Sequence, residues 1–300
     1  MTVRESGAQA LRTRCYAVLL EEKWIELSVH RSLCARRLVF VEDRRRGLDT
    51  GLQLRVWSDQ ASGLRAIDRV AYGRTVRALL IANSDDCDAG FVGERFRHHG
   101  YSFVECHRER PGEWESLDGI ELVLLLGSEW SVYWPHLADE VAAEFALIRQ
   151  AQARNLPIYG ICYGAQSIAH ALGGSVQRGT EPEIGWYDNI TSEIPDVIPA
   201  GPWLQWHYDV VTVPPGATEL AHSPVAPQAF RMGRTFATQF HPEVNETMIT
   251  RWSSGGGSAE LHARGSSSEA VRAETSRNVL TSRPNAERLV DWYLDNVAGC

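Results

Sequence analysis

Leu156-Pro157-Ile158-Tyr159-Gly160-Ile161-Cys162-Tyr163-Gly164-Ala165-Gln166 runs on into Ser167-Ile168-Ala169-His170-Ala171-Leu172-Gly173-Gly174. The first half is a short apolar run and reads as a buried strand. The second half has apolar and small residues at helical spacing and closes on two glycines, a helix stop. Cys162 stands where strand becomes helix. A side chain on so tight a turn projects out of the sheet and lies at the positive end of a helix dipole. Gly160 and Gly164 flank it because side chains there would meet neighbouring backbone. Cys162 is therefore read as a nucleophile.

Upstream, Val76 to Asn83 reads as a buried strand, Asp85-Asp86 as a loop, and Ala89 to His99 as a helix ended by Gly100. Tyr101 to Cys106 is a second strand. Asp118 to Gly127 is a third, apolar enough to be covered on both faces. A long helix spans Leu137 to Asn155. The order β-α-β-β-α-β-α predicts an α/β domain with an open, doubly wound, mostly parallel sheet. Such sheets carry their sites at the carboxyl ends of the strands. Gly127 and Cys162 both fall there. After Gly174 come short strand-like runs at Trp186 to Ile190, Leu204 to Val211, Thr218 to Ala221, Ala229 to Met232 and Phe236 to Phe240, a small antiparallel section. That section delivers His241-Pro242-Glu243.

Residues 75–252 are thus read as one domain. In residues 253–300, Ser253-Ser254-Gly255-Gly256-Gly257-Ser258 reads as a flexible loop, and a last amphipathic helix is expected from Asn285 to Asn296, packed on the domain. Residues 1–74 are an extension of unknown role. The runs Tyr16 to Leu20 and Leu38 to Val41 suit strands, and arginines crowd at Arg36-Arg37 and Arg44-Arg45-Arg46. Three readings stay open for it: a basic partner-binding arm, a poorly ordered extension from an over-long start, or an added subdomain.

The chain has 300 residues, 44% of them hydrophobic, and a net charge of −8. That is enough for a full buried core. The mild acidity argues against a general nucleic-acid binder. No stretch approaches the roughly 18 apolar residues of a membrane span, and the N-terminus has no signal-peptide layout. The six cysteines at 15, 34, 87, 106, 162 and 300 form no C-x-x-C pair, so neither a disulfide framework nor a zinc site is expected, and a reducing cytoplasm fits best. No cofactor or metal is called for.

A thiol becomes a strong nucleophile as thiolate, and a helix N-terminus and an imidazole both favour that form. Of ten histidines, His241 stands apart: it closes an apolar strand, precedes a rigid proline, and has Glu243 two residues on. A carboxylate there can hold the second ring nitrogen, as the third member of a triad does. Acyl transfer also needs an oxyanion hole. The turn Gly127-Ser128-Glu129 can supply one backbone N–H and Tyr163 another, each worth about 3 kcal/mol. Singly, a strand-end cysteine or histidine is more often structural; together and in this order they point to a site. Trp130, Tyr133 and Trp134 suit either a pocket wall or ordinary loop packing, Trp203 and Trp206 suit the core, and His170 reads as non-catalytic.

Gly160-Ile161-Cys162-Tyr163-Gly164-Ala165-Gln166 resembles the G-x-C-x-G-x-Q elbow of the class I (triad) glutamine amidotransferases, and Phe240-His241-Pro242-Glu243 resembles their F-H-P-E motif. The resemblance covers residues 75 to 252 and is closest to stand-alone domains similar to the glutaminase part of GMP synthase, whose H-G-D is matched by His207-Tyr208-Asp209. It implies a flavodoxin-like fold and a Cys162-His241-Glu243 triad that opens the side-chain amide of glutamine through a thioester. It further implies that Gln166 helps hold the substrate and that the backbone around Tyr208 and Asp209 lies against its α-amino and α-carboxylate groups. Gly127-Ser128-Glu129 departs from the family's usual Gly-Gly-Pro. No synthetase domain follows in this sequence, so ammonia would pass to a separate ammonia-accepting synthetase or be released. Two other readings use the same residues: a γ-glutamyl amide or peptide hydrolase, and a catalytically weak regulatory or binding subunit.

Overall fold

The computed structural model describes residues 76–299 in full and, within residues 1–75, the backbone of five strands at 3–5, 13–20, 23–30, 37–41 and 52–56. The chain divides into two compact units, Met1–Thr75 and Val76–Cys300. In the first unit β1 (Val3–Glu5), β2 (Thr13–Leu20), β3 (Lys23–His30), β4 (Arg37–Val41) and β5 (Leu52–Val56) form an antiparallel sheet in sequence order. The runs read at 16–20 and 38–41 lie inside β2 and β4. The side chains of the arginine runs, Cys15, Cys34 and Cys300 lie outside the described residues.

The second unit is built on a sheet of eight strands. β6 (Val76–Ala82) pairs in parallel with β7 (Tyr101–His107) and β8 (Leu122–Leu125). β8 pairs in parallel with β9 (Ile158–Ile161), and β9 with β15 (Thr235–Thr238). Beyond β15 the sheet turns antiparallel through β14 (Pro227–Met232), β13 (Thr218–His222) and the short β11 (Thr191–Ser192). The antiparallel section therefore extends the main sheet, while β10 (Val176–Tyr187) and β12 (Trp203–Val211) form a separate two-stranded ribbon.

Leu122 to Leu125 and Leu79 to Ile81 are wholly buried, because both sheet faces are covered. Alternate residues go to opposite faces. Leu80 and Tyr159 pack with Phe96 and Leu289, from α1 (Gly90–His98) and α6 (Ser268–Tyr293). Leu79 and Leu125 pack with Ile148 and Ile168, from α2 (Ala138–Ala153) and α3 (Tyr163–Ala171). The sheet is doubly wound, as the alternation of elements predicts.

The C-terminal segment differs from its expectation. The Ser/Gly-rich stretch is not a loop; Gly255–Ala263 is helical (α5), after α4 (Glu246–Trp252). Leu261 anchors it in a small core with Ile184, Leu204 and Met248. A Cβ on Gly257 would stand 1.9 Å from the Trp252 carbonyl oxygen. At that position the glycine answers a need for close approach. The last helix begins at Ser268 rather than Asn285 and runs through Pro284. Burial of Val271, Thr275, Ser282 and Ala286 along it outweighs the one backbone donor the proline removes. Among the described residues no helix is long and apolar enough to cross a membrane.

Candidate active site

The site is assembled from two neighbouring parallel strands. β9 leads to Cys162 and β15 leads to His241, with Ile161 level with Thr238. Three residues past that register the second strand delivers the imidazole beside the elbow. Cys162 has φ 51° and ψ −108°, a backbone shape that residues with a side chain rarely adopt. Its N–H donates to the Thr238 carbonyl at 2.8 Å, and its carbonyl accepts from Gln166 N–H at 3.0 Å, the first bond of α3. The turn can close because a Cβ on Gly164 would lie 2.3 Å from the Leu125 carbonyl oxygen, and one on Gly160 would lie 2.7 Å from Gly164 backbone.

His241 is buried, and its Nδ1 lies 2.7 Å from Glu243 Oε1. Its other face is turned to Cys162, whose charge acts on it; Nε2 has no hydrogen-bond partner in the fold. Burial by itself pushes the imidazole's pKa down. The Glu243 carboxylate, bonded to the ring, and the nearby Cys162 sulfur outweigh that, and the ring is held well above its ordinary 6.5. Main-chain bonds fix the pair: His241 N–H donates to the Leu204 carbonyl at 2.9 Å, and the Glu243 carbonyl accepts from Phe91 N–H at 2.9 Å. Trp252 packs edge-on to the ring at 4.9 Å. The loop after β8 closes the third side. A Cβ on Gly127 would lie 3.1 Å from His241 Cε1 and 3.6 Å from Cys162 Cβ.

Residues 102–250 match the family Glutamine amidotransferase class-I. They form a class-I glutamine amidotransferase domain. GMP synthase (glutamine-hydrolysing) of Aeropyrum pernix is 34% identical over 184 residues, 58% of this chain and 34% of the relative. The enzyme of that name from Mycobacterium leprae is 38% identical over 182 residues, 57% of this chain and 32% of the relative. The chain thus spans about a third of the length of the curated relatives it matches. Among solved structures, a glutamine amidotransferase from Thermotoga maritima has a TM-score of 0.66 and 27% identity, covering 74% of this chain and all of that one. One from Methylobacillus flagellatus, at 20% identity and TM-score 0.64, covers 74% of this chain and 95% of that one and shares the fold.

The amidotransferase domain brings Cys162, His241, Glu243, Gly127 and Tyr163 together. The Ser128 hydroxyl accepts from Trp130 N–H at 3.1 Å, which rounds off the loop. Gln166 is buried and its amide is engaged by the fold, with Nε2 3.3 Å from Gln239 Oε1 and 3.5 Å from the Asp209 carbonyl. Asp209 is also turned inward. Its carboxylate accepts from Ser131 Oγ at 2.6 Å and from Tyr133 OH at 2.7 Å. Tyr208 is half-buried, with the Arg178 guanidinium 4.4 Å over its ring. Trp203 is core, and His170 stacks on Phe145 at an exposed helix position.

The sequence reading misses several supports of the amidotransferase site. Ser131 and Tyr133 fasten the loop after β8 to β12 through Asp209. Trp252 walls His241. Arg108 sits in the charged run His107-Arg108-Glu109-Arg110, yet it is 1% exposed and paired with buried Glu144 at 2.8 Å. Only the fold reveals these contacts, since partners as much as 78 residues apart carry no local signal. One grouping of metal-ligand types, Cys87, Glu105 and His107, occurs among the described residues, with ligand atoms within 4.8 Å of one another. Its thiol donates to the Asn83 carbonyl, and Arg110 engages His107 Nδ1. Burial and nearby acidic groups push that thiol's pKa up to about 11. No catalytic candidate belongs to it.

Proposed function

We propose that this protein is a class I amidotransferase-type glutaminase, hydrolysing the side-chain amide of glutamine to glutamate and ammonia. The observation that carries the reading is His241, fixed by Glu243 at 2.7 Å on one nitrogen and turned to Cys162 with the other. Cys162 Sγ attacks the amide carbon, and the carbonyl oxygen becomes an oxyanion that backbone N–H groups at Ser128 and Tyr163 stabilise. His241, carrying the thiol proton, hands it to the departing nitrogen, and ammonia leaves a γ-glutamyl thioester. His241 then takes a proton from water, whose oxygen attacks the thioester; glutamate departs and the thiol recovers its proton. Glu243 orients the ring and stabilises the imidazolium. Gln166 and the backbone at Tyr208 and Asp209 border the substrate's amino-acid end.

The likeness to the amidotransferase part of GMP synthases supports an ammonia-accepting synthetase as the partner. The test compares wild type with Cys162→Ala on glutamine and on other γ-glutamyl amides. Wild type should release ammonia and glutamate, and a thiol-directed glutamine analogue should label Cys162. Release of glutamate from γ-glutamyl amines but not from glutamine would make it a γ-glutamyl hydrolase. No release from any of them, with no labelling, refutes the enzyme reading.

A further inference from the structure

Arg108 sits behind the loop that faces the nucleophile, and its guanidinium holds that loop by the carbonyls. Nη2 donates to the Leu126 carbonyl at 2.7 Å, and Nη1 donates to the Gly127 carbonyl at 3.1 Å. Nη1 also donates to Asn83 Oδ1 at 3.1 Å, and Nε donates to Glu144 Oε2 at 2.8 Å. The same guanidinium lies 4.8 Å over the ring of Tyr163, the first residue of α3.

Peptide planarity turns these contacts into a direction. In a trans peptide the C=O of one residue and the N–H of the next point opposite ways. The Leu126 and Gly127 carbonyls both point at Arg108, so the N–H groups of Gly127 and Ser128 both point away from it. Gly127 itself abuts Cys162 and His241. Two successive N–H groups turned the same way make a small anion-binding concavity. Neither has an acceptor among the described residues.

The energetics favour the same view. A buried Arg–Glu pair is expensive to desolvate, and an apolar pair of similar volume often does as well for stability. A stability role alone gives weak reason to place such a pair here. Orienting two peptides next to a nucleophile gives a specific one. The altered sequence Gly127-Ser128-Glu129 lacks the family's Gly-Gly-Pro, so the loop's shape needs a hold from elsewhere.

We infer that Arg108, backed by Glu144, is a positioning residue that sets the oxyanion hole by aiming the Gly127 and Ser128 N–H groups at the substrate carbonyl and bracing Tyr163. This rests on the glutaminase reading above. Arg108 touches no reacting atom, so its loss should leave substrate binding and thiol reactivity intact and slow only steps that build an oxyanion.

The test uses full-length wild type, Arg108→Lys, and the double variant Arg108→Met with Glu144→Met, which removes both buried charges together. Steady-state kinetics on the γ-glutamyl amide that wild type cleaves best should show kcat reduced about 10- to 100-fold in both variants, with KM changed less than threefold. Alkylation of Cys162 by iodoacetamide forms no oxyanion and should keep its wild-type rate. A γ-glutamyl aldehyde, which forms a tetrahedral adduct on the thiol, should bind at least tenfold more weakly. The double variant separates positioning from folding: it carries neither buried charge of the pair, loses stability through the orphaned Leu126 and Gly127 carbonyls, and should still unfold cooperatively and be slow. Wild-type kcat in a folded double variant, or an equal fall in alkylation and kcat, overturns the role assigned to Arg108. A wild type that cleaves no γ-glutamyl amide overturns the glutaminase reading and this role with it; an active wild type with normal variants overturns this role alone.

Discussion

Gly164→Ala puts the geometry of the elbow under direct strain. The added methyl carbon would stand 2.3 Å from the Leu125 carbonyl oxygen and 2.8 Å from the carbonyl carbon and Cβ of that residue. Ordinary contact begins near 3.4 Å, so the shortfall is 3.4 − 2.3 = 1.1 Å. The neighbour is backbone of a central strand, buried on both faces, and cannot swing aside. α3 must therefore move off β8 by about 1 Å. Overpacking of this kind costs about 1–3 kcal/mol. For the unit Val76–Cys300 a change of 1 kcal/mol moves Tm by roughly 2–4 °C, so a drop of about 2–12 °C is expected. The same shift carries Cys162 and the Tyr163 N–H away from Gly127 and His241, and a misplacement of about 1 Å can lower kcat about 100-fold. Thermal unfolding followed by circular dichroism reads the first effect, and ammonia release from glutamine reads the second. A variant that melts within about 1 °C of wild type and keeps its rate would show that the helix does not rest on Leu125 as described.

Cys162→Gly removes the side chain from a position with φ 51°, relieving about 1–2 kcal/mol of backbone strain. The variant should melt a few degrees above wild type, and a lower Tm would refute stored strain at Cys162. Glu243→Gln removes the charge that raises the His241 pKa. A group whose folded pKa lies above its unfolded value near 6.5 adds stability that is complete below pH 6.5 and fades as pH rises through the folded value. Wild type should therefore lose that stability between pH 6.5 and alkaline pH, and a Tm series should show the slope flattened in the variant; parallel slopes refute the coupling. Asp209→Ala leaves the buried Ser131 hydroxyl without its acceptor and frees Tyr133. Urea unfolding should show a loss of about 1–3 kcal/mol, and an unchanged midpoint would mean that the loop is held elsewhere.

The sequence by itself determined the strand–elbow–helix at Cys162, since apolar runs, glycine positions and helical spacing are local signals. It also determined the parallel, doubly wound sheet, because βα alternation admits few topologies. The pairing of His241 and Glu243 with the thiol was legible from their strand-end context and from the resemblance, but their distance from it was not, as His241 lies 79 positions beyond Cys162 and no local rule spans that gap. Tertiary structure decided the rest. It made the glycines at 255–257 part of a helix, because packing of Leu261 and the narrow gap beside Trp252 outweigh a composition that favours a loop. It turned the Asp209 carboxylate inward to Ser131 and Tyr133. It buried Arg108 behind the loop after β8, where its charge is satisfied by Glu144, Asn83 and two carbonyls drawn from three separate parts of the chain. Charge satisfaction in a dry interior is a property of three-dimensional neighbours, and a linear sequence does not display them.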